Sequence, residues 1–167
     1  PVIVVLGCRA EEVDAALGNR PVQTLTNYRW EAGMSTSVQT GLAAVPPQAE
    51  GALFLQCDQP LVHADLLRRL VERFRQTRGA IVHPAHQDRR GTPVLFPRRF
   101  FAELAAVSGD QGGRVLIERH SDETVAVPVD DPQVLIDVDT PSDYAKIRST
   151  TSDREARQPA SVLKPIR

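Results

Sequence analysis

Ala52-Leu53-Phe54-Leu55-Gln56-Cys57-Asp58-Gln59-Pro60 is an apolar segment that runs into a carboxylate and is then stopped by proline. Four apolar residues followed by Asp58 read as a buried strand whose end carries an acid, and Pro60 cannot continue the backbone ladder. In open α/β sheets, ligands collect in the crevice outside the carboxyl ends of the strands. A carboxylate there can hold a divalent cation against phosphate oxygens. Asp58 is therefore the first candidate for chemistry, although an aspartate at a strand end can equally cap its own turn by accepting backbone amides.

The stretches on either side fit the same architecture. Pro1-Val2-Ile3-Val4-Val5-Leu6-Gly7 is unbroken apolar chain ending in glycine, the pattern of a strand covered on both faces. Glu11 to Leu17 reads as a short helix closed by Gly18, and Val22 to Thr26 as a second strand. Gly33 and Ser35-Thr36-Ser37 open a helix carrying Val38, Leu42 and Val45, which Pro46-Pro47 ends. Val62 to Arg78 places Leu66, Leu67, Leu70, Val71 and Phe74 on one helical face, with Gly79 as its stop. Ala80 to Val82 and Pro93 to Phe96 read as strands around a polar loop, His83 to Thr92, and Arg98 to Val107 reads as a helix. A turn at Gly109 to Arg114 opens a short helix through Arg119, and Thr124 to Val129 and Val134 to Val138 read as late strands. Thr140-Pro141-Ser142-Asp143 fits a capping box for a last helix ending near Arg148. The expected domain is therefore residues 1–148, with 149–167 a polar, disordered tail.

Composition narrows the function. A chain of 167 residues, 41% hydrophobic and 25% charged, suits one domain with a proper core. A net charge of -1, with Arg68-Arg69, Arg89-Arg90 and Arg98-Arg99 scattered among acids, provides no field to gather nucleic acid. No apolar run reaches the length of a membrane span, so no membrane partner is expected. Cys8 and Cys57 lack partners at zinc-ligand spacing and read as reduced thiols, which fits a cytoplasmic protein. His63, His83, His86 and His120 show no ligand spacing, and no serine sits in a nucleophile elbow.

A second acidic group, Asp137 and Asp139, stands at the end of the last expected strand. Carboxylates from two strand ends can share one magnesium ion, which keeps waters and takes phosphate oxygens as its other ligands. Asp137 is the better ligand, and Asp139 serves as second ligand or supports the turn. Gly33-Met34-Ser35-Thr36-Ser37 offers close approach, amides and hydroxyls to an anion or a base edge, though serines before a helix also simply cap it. Gly91-Thr92-Pro93 and the Gly109 to Arg114 turn are ambiguous in the same way.

In their order along the chain, Gly33-Met34-Ser35-Thr36-Ser37, Cys57-Asp58-Gln59-Pro60, Gly91-Thr92-Pro93-Val94-Leu95-Phe96, Gly109-Asp110-Gln111-Gly112-Gly113-Arg114 and Asp137-Val138-Asp139-Thr140-Pro141-Ser142-Asp143 resemble one family. It is the nucleotidyltransferases of molybdenum cofactor biosynthesis, in particular the molybdenum cofactor cytidylyltransferase branch. The resemblance, over residues 1 to about 148, implies a Rossmann-like, three-layer α/β domain with a mostly parallel sheet. It implies magnesium at Asp58, with Asp137 and Asp139 as further ligands and Asp58 and Asp137 as the catalytic pair. It implies nucleotide contacts at Gly33, Ser35, Ser37 and Asp58, and substrate contacts at Gly91, Pro93, Asp110 and Arg114. Its reaction moves CMP from CTP, favoured over GTP, to the phosphate of molybdopterin or molybdenum cofactor, releasing pyrophosphate. A molybdoenzyme or its chaperone is then a candidate partner.

Such enzymes open with a glycine-rich loop, ending in basic residues, after their first strand. Here the first residues match the family's second strand, so a βα unit of roughly 30 residues is absent and the chain is expected to be part of a longer protein. Two other readings stand beside the transferase. Without that loop the chain could be a nucleotide- or pterin-binding module, or a related transferase with another nucleotide or acceptor. A phospho-acceptor receiver would need an acidic pair after its first strand, where this chain has Gly7-Cys8-Arg9.

Overall fold

The computed structural model describes residues 1–155, the last seven of these as backbone only. Its elements are β1 (Ile3–Leu6), α1 (Ala10–Leu17), β2 (Gln23–Thr26), α2 (Met34–Ala43), β3 (Gly51–Phe54), α3 (Ala64–Gln76), β4 (Ile81–His86), β5 (Arg89–Arg90), β6 (Val94–Pro97), α4 (Phe101–Ala106), α5 (Arg114–Arg119), β7 (Thr124–Pro128) and α6 (Pro141–Glu155).

Strands β1 and β2 pair in parallel as a two-stranded sheet, and β3, β4, β5, β6 and β7 form a second sheet. In the second sheet β6 lies between β3 and β4, antiparallel to both, while β7 runs parallel to β4 on its other edge. The α/β, Rossmann-like class holds, and the mostly parallel sheet expected for it is in detail a mixed one. The reason is the short excursion from β4 through β5: it reverses the chain, so β6 re-enters in the opposite direction. A parallel entry would have needed a crossover helix.

Successive strand residues alternate between two apolar layers. Val82, Leu95 and the half-buried Leu53 face Leu66, Leu70 and Phe74 of α3, together with Val127, Val134 and Leu135. Ile81, Val94, Phe96 and the half-buried Phe54 face Phe100, Leu104, Leu116 and Ile117, with Val38 and Leu42 of α2 packed on them. That is why these strands read as continuous apolar runs: a strand with helices on both faces has no solvent side to mark with polar residues. The α3 stripe follows the helical period, and the His63 ring caps the helix by accepting from the Leu66 amide at 3.3 Å.

Several expected elements change character. Ile3, Val4 and Val5 are half-buried, because among the described residues β1 pairs only with β2. The polar loop from His83 is partly strand, since β4 continues to His86 and β5 pairs with its end. Val134 to Val138 is not a strand: Pro132–Leu135 forms a 3-10 turn capped by Asp131, and Val134 and Leu135 turn inward. The fixed φ of Pro132 suits that turn. The capping box is present, with the Asp143 amide on the Thr140 hydroxyl and the Thr140 amide on the Asp143 carboxylate, both at 3.2 Å. Its helix continues to Glu155, past the stop expected near Arg148, and the rest of the expected tail lies outside the described residues.

Leu70 is fully buried between α3 and the sheet. Leu70→Ala is expected to lower unfolding free energy by about 2–5 kcal/mol, read from the urea midpoint at unchanged slope.

Candidate functional site

The strand directions decide which loops meet. Strand β3 runs antiparallel to β6, β6 antiparallel to β4, and β4 parallel to β7. The carboxyl ends of β3, β4 and β7 therefore share one edge with the start of β6. Asp58 leaves β3 there, Gly91-Thr92-Pro93 enters β6 there, and the chain from β7 to Asp137 begins there.

Direct contacts join these three stretches. The Val138 amide donates to the Asp58 carbonyl at 2.8 Å, a main-chain bond across 80 residues of sequence. Next to it the Gln59 side-chain amide nitrogen donates to Asp137 Oδ1 at 2.7 Å. The Thr92 hydroxyl donates to Gln56 Oε1 at 3.2 Å. Gly91 lies so close against Leu135 that a Cβ there would overlap the leucine side chain. Glycine at 91 is thus a requirement of packing, whatever else the turn does.

Asp58 is half-buried, and one of its carboxylate oxygens, Oδ1, is buried with no hydrogen-bond partner among the described residues. Burial raises its pKa above the usual aspartate value, its own backbone amide opposes that rise, and the charges of Asp137 and Asp139 push it further up. The two acidic segments named from the sequence therefore sit within electrostatic reach of one another. Among the described residues no group of three or more His, Cys, Asp or Glu side chains is placed to enclose a metal ion. Magnesium does not need such a cage, since it commonly takes one or two carboxylates and completes its shell with water and phosphate. A hard-oxygen donor set with an orphaned buried carboxylate oxygen fits that cation.

A second cluster forms at the start of α2. Gly33 has φ of 104°, and a Cβ on it would stand 2.7 Å from Asp110 Oδ1, so both backbone angle and space call for glycine. The Asp110 carboxylate accepts from the Met34 amide at 3.1 Å and the Gly109 carbonyl accepts from the Ser35 amide at 3.0 Å. The helix start thus has its first amides already engaged by the distant 109–110 turn. Buried Asn27 donates to the Thr36 hydroxyl at 2.8 Å and the Ser37 hydroxyl at 3.0 Å. Ser35 is buried against this turn.

The residue pattern of MobA-like NTP transferase domains matches residues 1–125. The chain belongs to that family. Nicotine blue oxidoreductase of Paenarthrobacter nicotinovorans is 29% identical over 145 residues, which is 83% of this chain and 71% of that protein. Among solved structures, Rv0371C of Mycobacterium tuberculosis H37Rv in complex with manganese is 30% identical with a TM-score of 0.71, covering 89% of this chain and 77% of that one. A nucleotidyl transferase from Methanothermobacter thermautotroptrophicus shares the fold at 24% identity and a TM-score of 0.77, over 91% of this chain and 73% of that one. The chain is thus a nucleotidyltransferase of the MobA-like kind.

Within this MobA-like domain the expected site residues fall into two groups. Asp58, Asp137, Asp139, Gly91 and Pro93 belong to the carboxyl edge of the larger sheet, while Gly33, Ser35, Ser37 and Asp110 gather at the start of α2. Among the described residues no hydrogen bond links the two groups. Arg114 joins neither by contact: its guanidinium pairs with Glu118 at 3.0 Å along an exposed face of α5. A cleft of about 380 Å³ at the ends of β1 and β2, lined by Gly7, Arg9, Glu12, Asn27, Tyr28 and Trp30, does not include Asp58.

Sequence reasoning missed Asn27 and Gln59. A buried amide that organises other polar groups has no spacing signature, and only its place directly after a strand, or beside Asp58, hinted at either.

Two outcomes follow from this geometry. A raised pKa means that folding favours protonated Asp58, so its contribution to stability is complete below about pH 4 and is lost as pH rises through the folded-state value. In chelator, Asp58→Asn should be more stable than the native chain at neutral pH, with the difference vanishing in acid. Thermal unfolding across a pH series reads this, and a difference that is the same at every pH would refute the assigned cause. Asp110→Ala should lower the melting temperature by freeing the Met34 amide, whereas Asp110→Asn, which keeps an acceptor oxygen, should restore most of it.

Proposed function

We propose that this MobA-like domain carries out magnesium-dependent transfer of CMP from CTP to the terminal phosphate of molybdopterin or its molybdenum cofactor, with release of pyrophosphate. The observation that carries the reading is the meeting of Asp58 with Asp137 and Asp139 at the sheet's carboxyl edge, held by the Val138 to Asp58 main-chain bond. The order of the five motifs supports the acceptor and the nucleotide, and the manganese complex of the Mycobacterium tuberculosis relative supports a divalent cation.

In this reading Asp58 and Asp137 hold the cation, with Asp139 beside them. Magnesium held there would neutralise charge on the triphosphate and align the reacting groups. Gly33, Ser35 and Ser37 receive the nucleotide at the start of α2. Gly91, Pro93 and Asp110 line the acceptor's approach, and Arg114 reaches its phosphate only by leaving Glu118. The residues contribute position and electrostatics, and no side chain is needed as a nucleophile. The acceptor phosphate oxygen forms the new bond to the α-phosphorus of CTP as the bond to pyrophosphate breaks. The working compartment is the cytoplasm, and a molybdoenzyme or its chaperone receives the product.

The likeness to nicotine blue oxidoreductase favours a second reading, in which the same scaffold supports a redox reaction in place of nucleotidyl transfer. A third keeps binding without turnover. Pyrophosphate release from CTP, magnesium and molybdopterin, followed alongside calorimetric binding of CTP, separates them. The transferase reading expects release that falls by about 100-fold or more in Asp58→Asn, in line with losing a metal-held charge in the transition state. Binding of CTP without release removes CMP transfer and supports the module, whereas neither binding nor release removes both the transferase and the module and leaves the redox reading.

A further inference from the structure

Among the described residues, Gln59 is the side chain that hydrogen-bonds from the Asp58 segment to the carboxylate of Asp137. It is 6% exposed, its amide nitrogen lies 2.7 Å from Asp137 Oδ1, and its own Oε1 is buried without a hydrogen-bond partner among the described residues. In this contact the Gln59 amide nitrogen is the donor and a carboxylate oxygen of Asp137 the acceptor. Asp137 is otherwise exposed and follows a 3-10 turn, where a short side chain samples several rotamers. The main-chain bond from Val138 to Asp58 aligns the two backbones but leaves that carboxylate free to rotate.

We propose that Gln59 is a positioning residue, a buried amide that anchors one oxygen of Asp137 so that the other faces the same cation as Asp58. The inference rests on the proposed cation site. A hydrogen bond to a ligating carboxylate orients it and leaves one lone-pair side to the metal, and such outer contacts typically change metal affinity by about 10- to 100-fold. The burial of Gln59 makes the anchor rigid: an amide enclosed on its other side cannot follow Asp137 if that carboxylate swings away. The orphaned Oε1 is the counterpart of this arrangement, an acceptor left without a donor because the nitrogen is committed to Asp137.

The test is a titration of manganese into the full chain, with free manganese followed by electron paramagnetic resonance, for the native protein, Gln59→Leu, Gln59→Met and Asp137→Asn. Both hydrophobic replacements remove the donor, and methionine keeps nearly the same length, so at least one folded variant is expected by circular dichroism. The expected result is manganese affinity weakened by about 10-fold in the folded Gln59 variant, and no further weakening when the same change is added to Asp137→Asn. A purely structural role would lower the melting temperature and leave the affinity of folded protein unchanged, and that result overturns the proposal. Equal weakening in both backgrounds also overturns it, because Gln59 would then not act through Asp137. If the native chain binds no manganese, the cation site itself falls and the positioning role with it.

Discussion

Burial of both faces of β4 and β6 is the constraint on which the rest of this molecule depends. Their alternating side chains feed two separate apolar layers, one under α3 and one under α2, α4 and α5. Buried on both sides, the strands can expose polar chemistry only at their ends. The reversal through β5 then sets β6 antiparallel to its neighbours, which brings the exit of β3, the entry to β6 and the chain beyond β7 to one edge. Polar groups that a ligand can reach are thereby gathered at that edge by packing, before any ligand is considered.

At this edge the fold accepts an electrostatic cost. Burial and two neighbouring carboxylates all disfavour the ionised form of Asp58, and one of its oxygens has no donor to compensate it. Acids within electrostatic reach of one another disfavour each other's ionised form, and a cation placed among them would relieve that repulsion. The arrangement is held by two polar contacts, the Val138 amide on the Asp58 carbonyl and the buried Gln59 side chain's amide on Asp137. At the start of α2 the logic differs. There Asp110 and Gly109 already satisfy the first amides, and Gly33 provides the angle and the space that let the two turns touch. Any nucleotide contact at this helix is made beside an occupied terminus rather than by filling a vacant one.

The residues differ in how plainly they announced themselves. Asp58 and the Asp137 to Asp139 group were legible because each follows an apolar run, and the α3 stripe and the Thr140 to Asp143 box were legible because helix periodicity and capping are local. Val134 to Val138 misled because an inward-facing apolar turn has the same composition as a short buried strand, and only Pro132 argued against it. The mixed direction of the sheet was hidden for a related reason: two-sided burial gives parallel and antiparallel strands the same apolar text.

The amino-acid sequence alone determined the α/β class, the family motifs and the two acidic groups, since each depends on residue type and short-range spacing. Tertiary structure decided which of those pieces touch. It joined Asp58 to Asp137 through Val138 and Gln59, assigned Asp110 to the start of α2, and placed Arg114 beside Glu118. Such pairings depend on strand direction and on the direction in which a buried amide points, and both are set by the packing of distant segments rather than by any neighbour in the chain.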